Sequence, residues 1–228
     1  MVIKNTQYTI HNTQYLKNKR ILITAGPTWV AIDSVRVISN IATGETGILL
    51  AEKLQRLGAK VTLLLGPVGS CCLNKKIKLI HFRFFDELKD NLIKELKSKK
   101  YDVVIHSAAV SDYKPLKIYA RKVKSGIKNW QLHLVPTEKI VGLTKKIDRT
   151  LFLVGFKFEP GVRKKILIDK TRSLVSHAGL DLAVANTIDR NRYLAYIVER
   201  EKIYGPILNK KAMVEKLVNI TGEKIWKN

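Results

Sequence analysis

Residues 21–47, ILITAGPTWVAIDSVRVISNIATGETG, constrain the fold more than any other stretch of the chain. They open with a short apolar strand, Ile21-Leu22-Ile23-Thr24, and turn at Ala25-Gly26-Pro27-Thr28. A loop carrying Asp33, Arg36, Ser39 and Asn40 leads to Thr43-Gly44-Glu45-Thr46-Gly47, where a helix is expected to start. A strand feeding a glycine-bearing loop and a helix N-terminus is an α/β device for holding anions. Free backbone N–H groups and the helix dipole both favour negative charge there. On this reading Gly44 and Gly47 let phosphates approach, while Arg36, Ser39 and Asn40 supply polar groups. Gly26 and Gly44 stand 18 residues apart, so the segment is not the tight G-x-G-x-x-G of a dinucleotide fold.

Beyond this segment, strand-like and helix-like stretches alternate. Strands are expected at 60–65 (KVTLLL), 77–82, 102–107 (DVVIHS), 151–156 (LFLVGF) and 181–185 (DLAVA). Leu50, Leu54 and Leu57 recur at helical spacing over 46–57, with Gly58 as the stop. Leu88, Leu92, Ile93 and Leu96 do the same over 86–97. A basic helix is expected at 162–177, a hairpin at 194–198 and 202–204, and a closing helix at 210–219. The pattern predicts a Rossmann-like, mostly parallel sheet with helices on both faces and a small C-terminal β-hairpin. Residues 1–18 read as a flexible extension before one domain over 19–228. Residues 115–129 fit neither period and are basic, as expected of a functional loop.

Ligands in such sheets bind beyond the carboxyl ends of the strands. The ends to look at are 24–28, Gly66-Pro67, 107–113, 156–159 and Asn186, with the basic loop beside them. Ser107-Ala108-Ala109-Val110-Ser111-Asp112-Tyr113 offers small residues beside a flat ring and a carboxylate for a hydroxyl or magnesium ion. Lys122 and Lys124 sit in the basic loop, placed to neutralise a triphosphate. Phe156 closes the fifth strand, where it packs beside a base or fills the core. Asn186 follows the sixth strand.

Composition removes several classes. No run approaches the roughly 18 apolar residues of a membrane span, and the polar N-terminus lacks a signal-peptide stretch. A cytoplasmic protein without membrane partners is expected. Cys71 and Cys72 are adjacent, which disfavours a bridge between them, and the five histidines show no metal-ligand spacing. His81 and His106 are read as structural. The 42 Lys+Arg against 19 Asp+Glu give a net charge of +23, a field that attracts polyanions. The basic residues are spread along the chain and no nucleic-acid-binding motif accompanies them, so nucleic acid is not expected as a partner. No Ser/His/Asp arrangement is visible.

ITAGPT, DSVRVISN, TGETG, AAVSDY, a lysine pair about ten residues on, VGF and LDLAVAN occur in that order. Together they resemble the phosphopantothenoylcysteine synthetase (phosphopantothenate–cysteine ligase) family over about residues 19–219. This family is the ligase half of the bifunctional coenzyme A biosynthesis flavoprotein. The resemblance implies that 4′-phosphopantothenate and CTP form an acyl-cytidylate with loss of pyrophosphate. L-Cysteine then attacks the acyl carbon and releases CMP. By motif, Asn40 matches the asparagine that engages the intermediate, expected to donate to an oxyanion, and Lys122 the lysine that forms it. Ala108, Ala109, Asp112, Lys122 and Phe156 are implied to bind the nucleotide, joined by Gly26, Ser39, Gly44 and Lys124 from the reading of the loops themselves. Asn40 and Asn186 are implied to bind the substrate and Asp112 a Mg2+ ion, with Arg36 joining the substrate set from the loop reading. The family is usually dimeric, so a homodimer is expected.

The chain departs from the family at two places. Ile41-Ala42 replace two usual polar residues, and Lys139 replaces a usual carboxylate. The flavin-bearing decarboxylase half has no counterpart in the sequence. No FMN is therefore expected, and a separate phosphopantothenoylcysteine decarboxylase is a candidate partner. The same ligase using ATP and a Rossmann-type NAD(P) oxidoreductase are the alternatives. The missing glycine fingerprint argues against the oxidoreductase.

Overall fold

A computed structural model of the chain describes residues 15–190 and 192–227. In chain order the elements are β1 (Arg20–Ala25), β2 (Trp29–Ala31), β3 (Val37–Ser39), α1 (Glu45–Arg56), β4 (Lys60–Leu65) and β5 (Lys78–His81). Then come α2 (Phe85–Ser98), β6 (Val103–His106), β7 (Tyr113–Pro115), β8 (Leu134–Pro136), α3 (Ile140–Ile147) and β9 (Phe152–Phe158). The chain closes with α4 (Lys164–Ala178), β10 (Leu182–Asp189), β11 (Arg192–Val198), β12 (Ile203–Ile207) and α5 (Lys210–Lys227).

Eight strands make one sheet in the order β12-β11-β10-β9-β6-β1-β4-β5. From β10 to β5 all neighbours are parallel, while β11 and β12 add to one edge antiparallel. The mostly parallel Rossmann-like sheet read from the sequence is therefore present. The C-terminal hairpin is part of that sheet, because β11 pairs with β10 from Ala183↔Val198 to Asp189↔Arg192. The same pairing extends β10 past the expected end at residue 185. Two small separate pairs, β2–β3 and β7–β8, lie outside the main sheet.

Side-chain alternation decides which face each residue serves. Ile21, Ile23 and Ala25 of β1 join one core with α1 and α5 residues such as Leu50, Leu54, Met213 and Leu217. Leu22 joins the other, against Leu88 and Leu92 of α2, Ile140 of α3 and Val175 of α4. The sheet is thus covered on both faces, as its near-continuous apolar strands require. Each fully buried leucine is worth roughly 1.5–3 kcal/mol.

Gly47 lets α1 close onto β1. A Cβ there would lie 2.3 Å from the Cβ of Ala25 and 2.9 Å from Ser107 Oγ. The extension expected over 1–18 falls mostly on residues 1–14, outside the described residues. Its last part is held: Leu16 is fully buried, and the Asn18 N–H donates to the Gly58 carbonyl at 2.9 Å. The ordered fold accordingly starts before Lys19. Among the described residues no helix is long and apolar enough to cross a membrane.

Candidate functional site

A cleft of about 530 Å³ opens beyond the carboxyl ends of β6, β9 and β10. Asn40, Ala108, Ala109, Asp112, Phe156 and Asn186 all line it. Six residues singled out from four distant segments of sequence therefore meet in one place. Thr46 of α1 and Ile140 of α3 line it too, so two helix N-termini reach the same space. Neither N-cap residue makes a side-chain bond; Thr43 Oγ1 accepts from the Glu45 N–H at 3.4 Å and the Gly142 N–H goes to the Lys139 carbonyl at 3.3 Å, leaving the other first-turn N–H groups for an anion. Glu45 in the first turn of α1 would oppose an anion, but it is paired with Lys210.

The border from Ser107 to Asp112 hangs from the turn after β1. Ala109 N–H donates to the Gly26 carbonyl at 2.9 Å, and Thr28 N–H to the Ala109 carbonyl at 3.3 Å. Ser107 Oγ donates to the Thr24 carbonyl at 2.7 Å, and Ser111 N–H to Thr28 Oγ1 at 2.9 Å. Thr137 Oγ1 closes the far side on the Ser111 carbonyl at 2.6 Å. His106 lies beneath, with Nδ1 2.9 Å from Thr24 Oγ1. Burial pushes its pKa down to about 4, so it stands neutral at pH 7 while bordering the cleft.

Asn40 differs from the expectation. Its Nδ2 donates to the carbonyls of both Ala109 (3.1 Å) and Val110 (3.1 Å). Both amide hydrogens are used, which leaves Oδ1 as the free group. Asn40 thus offers a ligand an acceptor, where the sequence suggested a donor. Asn186 Oδ1 is buried, with no hydrogen-bond partner among the described residues. Such an orphan acceptor costs about 1–3 kcal/mol unless something donates to it.

Positive charge enters from residues the sequence reading did not assign. Lys139 and Lys157 line the cleft. Lys139 Nζ sits 2.5 Å from Asp112 Oδ1, and both side chains are exposed. Lys157 and Lys170 flank Glu159 at 2.9 and 2.8 Å and hold its carboxyl below the usual range, Lys170 the more strongly. Among the described residues no three His, Cys, Asp or Glu side chains converge as a metal site. Asp112 fits a single-carboxylate partner for a phosphate-borne Mg2+, an ion bound through one or two carboxylates plus substrate phosphates.

The other expected site residues stand elsewhere. Gly26 and Gly44 take positive φ, and a Cβ on either would press on Val68 at 3.1 Å. Ser39 Oγ donates to the Thr28 carbonyl at 3.2 Å. Arg36 is bound to Asp33 and to the Val123 carbonyl. Lys122 and Lys124 are exposed on the loop between β7 and β8, outside the lining residues. A larger cleft of about 830 Å³ lies over the ends of β4 and β5, beside Gly66, Cys71, His81 and Arg83. Gly66 and Pro67, one of the strand ends where a ligand is expected, border it, but no residue assigned a catalytic or binding role does, and both cysteines are free thiols.

Comparison with known proteins gives this architecture relatives. Residues 16–221 match the DNA/pantothenate metabolism flavoprotein C-terminal domain. A coenzyme A biosynthesis bifunctional protein CoaBC from Thermococcus kodakarensis is 41% identical over 175 residues, covering 76% of this chain and 42% of that protein. The protein of that name from Borreliella burgdorferi is 31% identical over 219 residues, covering 94% of this chain and 51% of that one. The chain thus spans about half the length of these curated relatives. The solved DNA/pantothenate metabolism flavoprotein from Streptococcus pneumoniae superimposes with a TM-score of 0.82 at 27% identity, covering 90% of this chain and 99% of that one. With the family match running over nearly the whole described fold, the chain belongs to the family of the DNA/pantothenate metabolism flavoprotein C-terminal domain.

Proposed function

We propose that this chain joins 4′-phosphopantothenate to L-cysteine, the ligase step of coenzyme A biosynthesis, with CTP converted to CMP and pyrophosphate. The observation that carries this reading is the convergence of Asn40, the Ala108–Ala109 border, Asp112, Phe156 and Asn186 on one cleft with two helix N-termini. Membership of the family and the CoaBC relatives supply the substrate class.

In the first half-reaction the substrate carboxylate attacks the α-phosphorus of CTP and pyrophosphate leaves. Negative charge accumulates on the phosphates, and N–H groups at the starts of α1 and α3, with Lys139 and Lys157, are placed to stabilise it. Mg2+ held by Asp112 and the phosphates would neutralise further charge. The base lies between the small side chains of Ala108 and Ala109 and the half-buried ring of Phe156. Buried Asn186 Oδ1 accepts from a ligand N–H group. In the second half-reaction the cysteine amine attacks the acyl carbon and CMP leaves. Asn40 Oδ1, its only free polar atom, accepts from that amine and orients it. Lys122 acts on the triphosphate from the loop.

The same reading includes a homodimer and a cytoplasmic setting where CTP and cysteine are available, with a separate decarboxylase to take the product. Val35, Val37, Tyr113, Leu116, Ile118 and Leu134 are exposed on and beside the two small hairpins. These hairpins adjoin through β2 and β7. An apolar surface of this kind suits a second copy. The direct test is pyrophosphate release from CTP that requires 4′-phosphopantothenate but not cysteine.

A further inference from the structure

The loop between β7 and β8 is closed at its base by Leu116 N–H donating to the His133 carbonyl at 2.8 Å. It carries Lys122 and Lys124, yet it has no regular structure to place them. Its attachments converge on one carboxylate. The Asp33 side chain is fully buried. Oδ1 accepts from the N–H groups of Val35 (2.9 Å) and Arg36 (2.8 Å). Oδ2 accepts from Arg36 Nε at 2.9 Å, Arg36 Nη2 at 2.5 Å and the Val123 N–H at 3.1 Å. Arg36 Nη2 also donates to the Val123 carbonyl at 2.7 Å. Val123 therefore has both backbone groups satisfied by one ion pair. The guanidinium lies 4.4 Å over the Trp130 ring, and Tyr119 N–H donates to the Ile32 carbonyl at 3.0 Å. Val123 is half-buried, while Lys122 and Lys124 on either side are exposed.

We propose that Asp33 and Arg36 form a clasp on Val123 that fixes where Lys122 and Lys124 stand, making Asp33 a positioning residue for the nucleotidyl-transfer step. The role given to Lys122 rests on the ligase reading; the clasp itself does not. Five donors meet Asp33, and only an ionised carboxylate, which accepts at both oxygens, suits them all. An amide would turn N–H groups toward donors and lose the bond to Val123. Arg36, expected from the loop sequence to bind substrate, here bonds to Asp33 and to the loop.

The test compares Asp33→Asn and Trp130→Ala with the wild type in two readouts. Limited trypsin digestion reports opening of the loop, whose cleavage sites follow Lys117, Arg121, Lys122, Lys124 and Lys128. Asp33→Asn should be cut there about tenfold faster, and Trp130→Ala to an intermediate degree, with each digested well below its own melting temperature. Acyl-cytidylate formation should fall about a hundredfold in Asp33→Asn, while conversion of supplied intermediate by cysteine stays at the wild-type rate. Asp33→Glu should recover part of the loss. Equal cleavage of wild type and variants overturns the clasp, as does faster cleavage with unchanged formation. If Asp33→Asn fails to fold, Trp130→Ala decides through the same pair of readouts. A wild type that makes no acyl-cytidylate removes the ligase reading, and the cleavage comparison still decides the clasp.

Discussion

The segment from Ser107 to Asp112 and the loop over residues 116–133 both carry residues assigned to one nucleotide, but they are held by different means. Ser107–Asp112 hangs from the turn after β1 through backbone bonds at Gly26 and Thr28, hydroxyl bonds at Thr24, Thr28 and Thr137, and the Asn40 amide. The loop is tied, apart from its base, chiefly through Asp33 and Arg36. One region is fixed by many bonds to the fold, whereas the other hangs chiefly on one ion pair, with the Tyr119–Ile32 backbone bond beside it. That division suits a site whose base-reading wall stays rigid while its phosphate-handling lysines admit and release a ligand.

The comparison is sharpened first at Lys122. Lys122→Ala should slow acyl-cytidylate formation about a thousandfold in single-turnover assays without changing the melting temperature, because the loop adds little to the core. A near-normal rate would take Lys122 out of the step. Asn40→Asp should act on the rigid side. Its carboxylate would face the Ala109 and Val110 carbonyls that Nδ2 now satisfies. The intermediate should still form, but its conversion by cysteine should fall about a hundredfold. Unchanged overall turnover would refute the assignment.

A separate effect, on stability instead of rate, belongs to the rigid side alone. His106 is neutral in the fold, with its pKa lowered to about 4 against an ordinary 6.5. Below pH 6.5 the unfolded chain binds a proton that the folded chain refuses, so stability falls between about pH 6.5 and pH 4. The loss there amounts to up to about 3 kcal/mol. His106→Gln should flatten this part of a melting-temperature profile against pH. An equally steep profile in the variant would show that another group is responsible.

The main sheet was legible because its strands are apolar runs of fixed length and its helices keep a 3.6-residue period. The 60–65 strand and the 46–57 helix lie within one residue of β4 and α1. The pairs β2–β3 and β7–β8 were not legible, since three-residue strands show no periodicity. The eight residues of α3 were likewise too few to declare a period. For the site, glycine and small-residue turns at strand ends pointed to segments that the structure brings together, six of whose residues line one cleft. Lys139 and Lys157 went unassigned because two lysines among 42 basic residues carry no signal by spacing. The Arg36–Asp33 pair was not legible, because sequence does not reveal that Asp33, three residues earlier, turns inward. Asn40 was found, but which of its amide atoms stays free depends on carbonyls nearly 70 positions away.

The central claim is that this cleft activates a carboxylate before an amine enters. The most direct measurement incubates the wild-type protein with 4′-phosphopantothenate, Mg2+ and each nucleoside triphosphate in turn, without cysteine, and follows pyrophosphate and the acyl-nucleotide. With CTP, stoichiometric pyrophosphate and an acyl-cytidylate that cysteine discharges to 4′-phosphopantothenoylcysteine and CMP are predicted. No pyrophosphate with any nucleotide would contradict the account.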